Sequence, residues 1–202
     1  MARKVDKEGT QKRKEQILQA AYSCFVKKGF HKSSMADICK KAKLSPGTVY
    51  HYFGSKDEII LHFAQLELDS AMEFVEAMKE VHTIDDMVAL CVDGVLYETE
   101  STDPQLYIEV ICEGGRNLKV GSILMKADEV ILKSIQKTLT WLSVPTNNPS
   151  AKVLSNYIGG QMMFLELYKM EKPSDKDILQ MSALCKKGIR HILLELVEEG
   201  KS

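Results

Sequence analysis

Between Ser33 and Glu58 the chain gathers side chains suited to gripping a sugar–phosphate backbone and touching base edges. Ser33, Ser34, Ser45 and Thr48 offer hydroxyls, Tyr50 and His51 offer flat rings with polar tips, and Lys43 and Lys56 offer ammonium groups. Hydroxyls, lysines and amides at helix starts bond phosphate oxygens, while side chains on a helix laid in the major groove reach the bases. Gly47 removes bulk where backbone must approach DNA, and Pro46 stands before it. Val49, Tyr52 and Phe53 read as the buried face of the same stretch. Singly these are ordinary surface and core residues; their joint spacing carries the reading.

The elements that must position them follow from caps and periodicity. Ser34 caps a first helix, with Asp37 at its positive end, and Met35, Ile38, Cys39 and Ala42 recur at helical spacing. Leu44 supplies a buried anchor. Ser45-Pro46 restarts the chain as a cap followed by proline at the first helical position, and Gly54 is expected to close this second helix in a left-handed conformation. Ser55 with Glu58 then makes a capping box for a third start. Two short helices joined by a tight polar turn are the sequence form of a helix-turn-helix, whose second helix reads the major groove. A preceding helix is expected from a Thr10 cap to about Lys28, closed by Gly29, with a loose arm of residues 1–9 carrying Arg3, Lys4 and Lys7 before it.

Residues Ile17 to Ile60 resemble the DNA-binding domain of the TetR family of transcriptional regulators. The matching pieces are Ile17-Leu18 with Ala20-Ala21, Phe25, Gly29-Phe30, Ser33-Ser34-Met35 with Ile38, and Ala42 with Leu44-Ser45. Gly47-Thr48-Val49-Tyr50, Tyr52-Phe53 and Ser55-Lys56-Asp57 complete them. Three positions depart: Lys43 stands where the family usually has glycine, Cys39 where it usually has alanine, and Arg13 where it often has threonine. Lys43 lies in the turn, so a left-handed backbone there is expected to carry strain, and its charge adds a phosphate contact. The resemblance implies a dimer on a palindromic double-stranded DNA operator, a small-molecule effector in the C-terminal body, and repression relieved by that effector.

Charge is unevenly distributed. The chain has a net charge of −1, yet residues 1–57 hold 13 Lys and Arg against 5 Asp and Glu, while residues 58–202 hold 14 against 23. A basic head on an acidic body fits a nucleic-acid-binding domain, residues 1–57, joined to a helical effector-binding and dimerisation domain, residues 58–202. The hydrophobic fraction of 45% is that of a globular protein. No secretory leader or membrane span is expected, and five dispersed cysteines read as reduced core residues, so the expected compartment is the cytoplasm.

The body reads as all-α, making about nine helices with the head. A long helix after Ser55 links the two. Met87, Cys91, Tyr107, Glu113, Trp141, Met163, Phe164 and Tyr168 offer pliable apolar, aromatic and polar groups for an effector wall. Glu98, Glu109 and Arg116 are further candidates to orient a ligand, and the acidic body suggests a cationic or neutral amphipathic one. The last two helices are amphipathic, and in TetR-like proteins the matching pair builds a four-helix bundle between subunits. Tyr157, Gly160, Phe164, Ile189, Ile192 and Leu196 are the expected interface, with Gly159 and Gly160 allowing close helix approach.

Enzymatic readings are poorly supported. The chain has no P-loop, dinucleotide fingerprint, HExxH or GxSxG, and its histidines and cysteines show no metal-ligand spacing. No cofactor or metal is expected. The alternatives are an effector-free DNA-binding or partner-binding dimer and, more remotely, an all-α enzyme.

Overall fold

The computed structural model describes residues 7–97, 103–147 and 149–200. Arg3, Lys4 and Glu98 lie outside them. Among the described residues there are nine α-helices: α1 Lys7–Lys32, α2 Met35–Ala42, α3 Pro46–Tyr52, α4 Lys56–Ala77, α5 Ile84–Tyr97, α6 Pro104–Gly114, α7 Leu118–Trp141, α8 Ala151–Lys169 and α9 Asp175–Glu199. A 3-10 turn, Met78–Glu80, follows α4. No helix there is long and apolar enough to cross a membrane. Thr10 lies inside α1, which is already helical at Lys7, so it does not act as the expected cap.

The chain forms two compact units. One runs through Leu66 and takes in Gln105–Leu124; the other comprises Glu67–Pro104 and the chain from Met125 onward. This division differs from a single boundary at 57/58, because α6 and the start of α7 pack with the N-terminal helices. Leu106, Val110 and Val120 are buried in one cluster with Ile17, Phe25, Ile38, Val49, Ile59 and Phe63.

The first unit is built on Phe25. Its ring meets Phe30 edge-on at 4.5 Å between centroids and Phe63 at 5.9 Å, the arrangement that ring quadrupoles favour. Stripes from α1, α2 and α4 converge on it, as their apolar spacing requires. Gln16 on α1 donates its side-chain amide to the Ala42 carbonyl at 2.8 Å, satisfying one of the acceptors left open where α2 ends. Gly29, at φ 78° and ψ 163°, breaks the helical geometry near the end of α1, as its position after Lys28 leads one to expect.

The second unit buries Met87, Cys91 and Val92 of α5 against Ile135 and Leu139 of α7, Ile158 and Leu165 of α8, and Ile189 and Leu193 of α9. Several of its part-buried polar groups pair between helices. Asp93 accepts from the Ser182 hydroxyl at 2.9 Å and from the Lys186 ammonium at 2.7 Å, and Gln136 donates to Ser155 at 3.0 Å. Gly159 faces α7 of its own chain, where a Cβ would stand 3.0 Å from a Leu132 side-chain carbon, and a Cβ on Gly160 would meet nothing within 4 Å.

Candidate nucleic-acid interface

The corner between α1 and α2 is assembled from local hydrogen bonds. Ser34, in extended backbone geometry, accepts the Asp37 amide on its hydroxyl at 3.1 Å, and Asp37 accepts the Ser34 amide at 3.0 Å. This reciprocal box closes the N-terminus of α2. Lys28 of α1 reaches the same carboxylate at 2.7 Å. That ammonium first, and then the Ser34 hydroxyl and amide, hold the Asp37 carboxyl down to about 2. Ser33 is placed differently from its neighbour. It is buried, and its hydroxyl is directed at the carbonyls of Gly29 and Cys24, so it fastens the corner instead of facing outward.

The turn between α2 and α3 depends on Lys43. It adopts φ 56° and ψ 40°, and its amide points back to the carbonyls of Cys39 and Lys40. This is the left-handed helix ending that glycine usually supplies, carried here by a residue with a side chain. The side chain itself is exposed. Cys39 is buried, and Arg13 is exposed and donates to Gln16 at 2.9 Å.

Ser45 then caps α3, its hydroxyl accepting the Thr48 amide at 3.1 Å and lying 2.8 Å from the Thr48 hydroxyl. Val49 is fully buried and Phe53 nearly so, which anchors α3 by one face. The opposite face presents Pro46, Gly47, Tyr50 and His51 to solvent, with Thr48 half-buried beside them. A Cβ built on Gly47 would meet nothing within 4 Å, so this glycine leaves an open surface and relieves no crowding inside the protein. The His51 ring meets Tyr52 edge-on at 5.2 Å.

Gly54 does not end α3 in a left-handed cap. The helix ends on Phe53 in extended geometry, and the Gly54 amide donates to the Glu58 carboxylate at 2.7 Å. With the Glu58 amide donating to Ser55 at 3.2 Å, the expected start of α4 is present, displaced by one residue at its far end. Lys56 donates to the Phe30 carbonyl at 2.5 Å and to the Ser33 carbonyl at 3.0 Å. Its ammonium therefore sits on carbonyls around the end of α1, a position favoured by the negative end of a helix.

The α6 residues considered for a ligand site, and Arg116 just after α6, belong to the first unit. The Glu109 carboxylate accepts the Phe30 amide at 2.9 Å. The Arg116 guanidinium lies 2.9 Å from His31 Nε2; because it can only donate, that nitrogen acts as acceptor. Glu113 stands 3.6 Å from the same nitrogen. Tyr107 belongs to this unit as well. Sequence reasoning missed these contacts because they link residues roughly 80 positions apart, which no local pattern marks.

The remaining effector candidates are not gathered into one site. Met87 and Cys91 lie at zero exposure in the second unit's core, and burial pushes the Cys91 thiol up to about 12. Trp141 is exposed beside His82, and Met163 and Phe164 are exposed on α8, with Phe164 stacked on Tyr168. The expected interface also divides. Tyr157, Gly160 and Phe164 are exposed, whereas Ile189 is core at 2% exposure and Ile192 and Leu196 are partly covered. Ile189 differs from expectation because the face of α9 holding Ser182, Cys185, Ile189 and Leu193 turns inward.

Residues 17–63 match the family described as bacterial regulatory proteins, tetR family. The chain is 32% identical over 126 residues to the HTH-type transcriptional regulator UidR of Escherichia coli (strain K12), covering 61% of this chain; it spans 62% of that relative's length. Among solved structures, Salmonella enterica GusR superposes with a TM-score of 0.70 at 22% identity, over 90% of this chain and 95% of that one. A regulator from Saccharomonospora viridis, solved with choline, gives 0.72 at 17% identity over 90% and 97%. The two structures share the fold, an N-terminal helix-turn-helix followed by a helical body. Residues 17–63 are thus similar to the N-terminal domain of the tetR family of bacterial regulatory proteins, and the chain as a whole shares the fold of these two structures.

Proposed function

We propose that the protein is a DNA-binding transcriptional repressor that occupies a palindromic operator as a homodimer and is released by a small molecule bound in its C-terminal body. The observation that carries this is the geometry of α3, anchored through Val49 and Phe53 and turning Pro46, Gly47, Tyr50 and His51 outward. Lys43, at the exposed turn before α3, adds a backbone-directed charge. The surplus of basic residues in 1–57 supports the same assignment.

Dimerisation is supported by α8, where Val153, Tyr157, Phe164 and Leu167 expose large apolar surface at helical spacing beside Gly160. A row of this kind is unusual for a helix facing only water. The effector is the least constrained part. The acid surplus of residues 58–202 favours a cationic or neutral amphipathic molecule, and the choline complex of the S. viridis regulator supports a cation in a body of this fold. The cytoplasm is the compartment in which such a repressor works.

A mobility-shift assay with DNA upstream of the protein's own gene tests the reading. Retention at low salt, weakened about tenfold or more by Tyr50→Ala combined with His51→Ala, is the expected result. No retention, or retention indifferent to the double substitution, refutes it.

A further inference from the structure

The backbone of Phe30 is held from both sides by charged groups. Its amide donates to the Glu109 carboxylate of α6 at 2.9 Å, and its carbonyl accepts from the Lys56 ammonium of α4 at 2.5 Å. Phe30 itself is 1% exposed and packs against Phe25 at the centre of the first unit. It directly follows Gly29, where α1 loses helical geometry, and precedes the Ser33–Ser34 corner from which α2 and α3 are launched. The carboxylate fits against the bare Gly29. A Cβ at that position would stand 3.2 Å from Glu109 Oε1, tighter than ordinary contact, besides the strain of φ 78° on any other residue.

We propose that Glu109 is a positioning residue for DNA reading: it sets the α1–α2 corner through the Phe30 amide, and with it the placement of α3. Glu109 lies 79 residues from Phe30 along the chain, on a helix outside the helix-turn-helix. The inference rests on the DNA-binding function proposed above. The physical argument is one of stiffness. The amide next to a helix break has lost its regular place in the helical ladder, and a carboxylate is a strong, short-range acceptor for it. Leu106 and Val110 bury α6 in the same core, so the carboxylate is presented from a fixed support. Without that acceptor the corner keeps its apolar packing but loses the bond that fixes its rotation. Sequence-selective contact then suffers more than general attraction to phosphates, since base-edge contacts demand placement and Coulomb attraction does not.

The test uses the full chain. A duplex is first selected from random-sequence DNA with the wild-type protein. Its affinity, and that of a scrambled duplex of equal length, is then measured for wild type, Glu109→Ala, Glu109→Gln and Leu139→Ala, each checked for a cooperative thermal melt. Glu109→Ala is expected to lose about tenfold for the selected duplex and little for the scrambled one. Glu109→Gln, whose amide oxygen still accepts the Phe30 N–H, is expected to restore most of the ratio between the two duplexes. Leu139→Ala lowers stability in the core of the second unit and is expected to leave that ratio near wild type. An unchanged ratio in Glu109→Ala overturns the positioning role while leaving DNA binding intact, as does an equal loss in Leu139→Ala. If Glu109→Ala does not melt cooperatively, Glu109→Gln decides: an affinity ratio as low as that of a scrambled-only binder overturns the role. A wild type that enriches no sequence overturns the DNA-reading function itself and the proposal with it.

Discussion

Lys28 and Asp37 meet at 2.7 Å across the corner between α1 and α2, on the carboxylate that also closes the capping box with Ser34. One side chain thus ties a helix end to the start of its neighbour. Its carboxyl titrates near 2 against an ordinary 3.8. A carboxyl depressed in the folded state stabilises the fold above its unfolded value, and that contribution fades as pH falls through the folded value. The corner should therefore hold at neutral pH and weaken between roughly pH 4 and pH 2. An NMR titration of the Asp37 carboxyl carbon is expected to show a midpoint near 2, moving toward 3.8 in Lys28→Ala. A midpoint at the ordinary value in the wild type would show that the pair does not persist in solution.

Lys43 places a side chain in left-handed backbone, where glycine costs less. Lys43→Gly removes that strain but adds chain entropy to the unfolded state, leaving a net gain of about 0.5–1 kcal/mol. The same change deletes a positive charge from the turn. If Lys43 touches a phosphate, the dependence of log affinity on log salt should flatten by about one unit per subunit. Denaturant unfolding and a salt series separate the two effects, and a destabilised glycine variant would contradict the strain argument.

Lys56 admits two roles that give different results. With its ammonium on the Phe30 and Ser33 carbonyls, Lys56→Met is expected to cost about 1–2 kcal/mol of stability even without DNA. A lysine serving only as a phosphate contact would leave urea unfolding of the free protein unchanged and alter only its affinity.

The faces of α8 and α9 can be told apart in the same way. Ile189→Ala empties a fully packed site and should cost about 2–4 kcal/mol. Tyr157→Glu with Phe164→Glu lies on the exposed face of α8 and should leave the subunit's secondary structure intact while producing monomers in sedimentation velocity. Monomers from Ile189→Ala with no loss of stability, or dimers from the double glutamate variant, would exchange the two assignments.

The surface around α3 was legible in the sequence because its determinants are local. Ser34 with Asp37, Ser45 with Pro46, and Ser55 with Glu58 each act within one helical turn, and the buried Val49 follows from a period of 3.6 residues. The same locality explains the errors. Ser33 and Ser34 are adjacent and chemically identical, yet one hydroxyl turns inward to the Cys24 carbonyl and the other caps a helix. Gly54 has the right residue type for a left-handed cap, but a carboxylate four positions on takes its amide instead.

By itself the sequence determined an all-α chain, the existence and order of the two short helices α2 and α3, the buried anchors Val49 and Phe53, and a basic head preceding an acidic body. These follow from spacing, capping chemistry and charge, which act along the chain. Only the tertiary structure decided that α6 packs with the N-terminal helices, that Glu109 and Lys56 hold the two backbone groups of Phe30, and that Ile189 belongs to a core. Those outcomes depend on which apolar faces meet and which distant partner satisfies a freed amide or carbonyl. Neither is written in any local window, because burial and hydrogen-bond satisfaction are settled between elements after the chain has closed on itself.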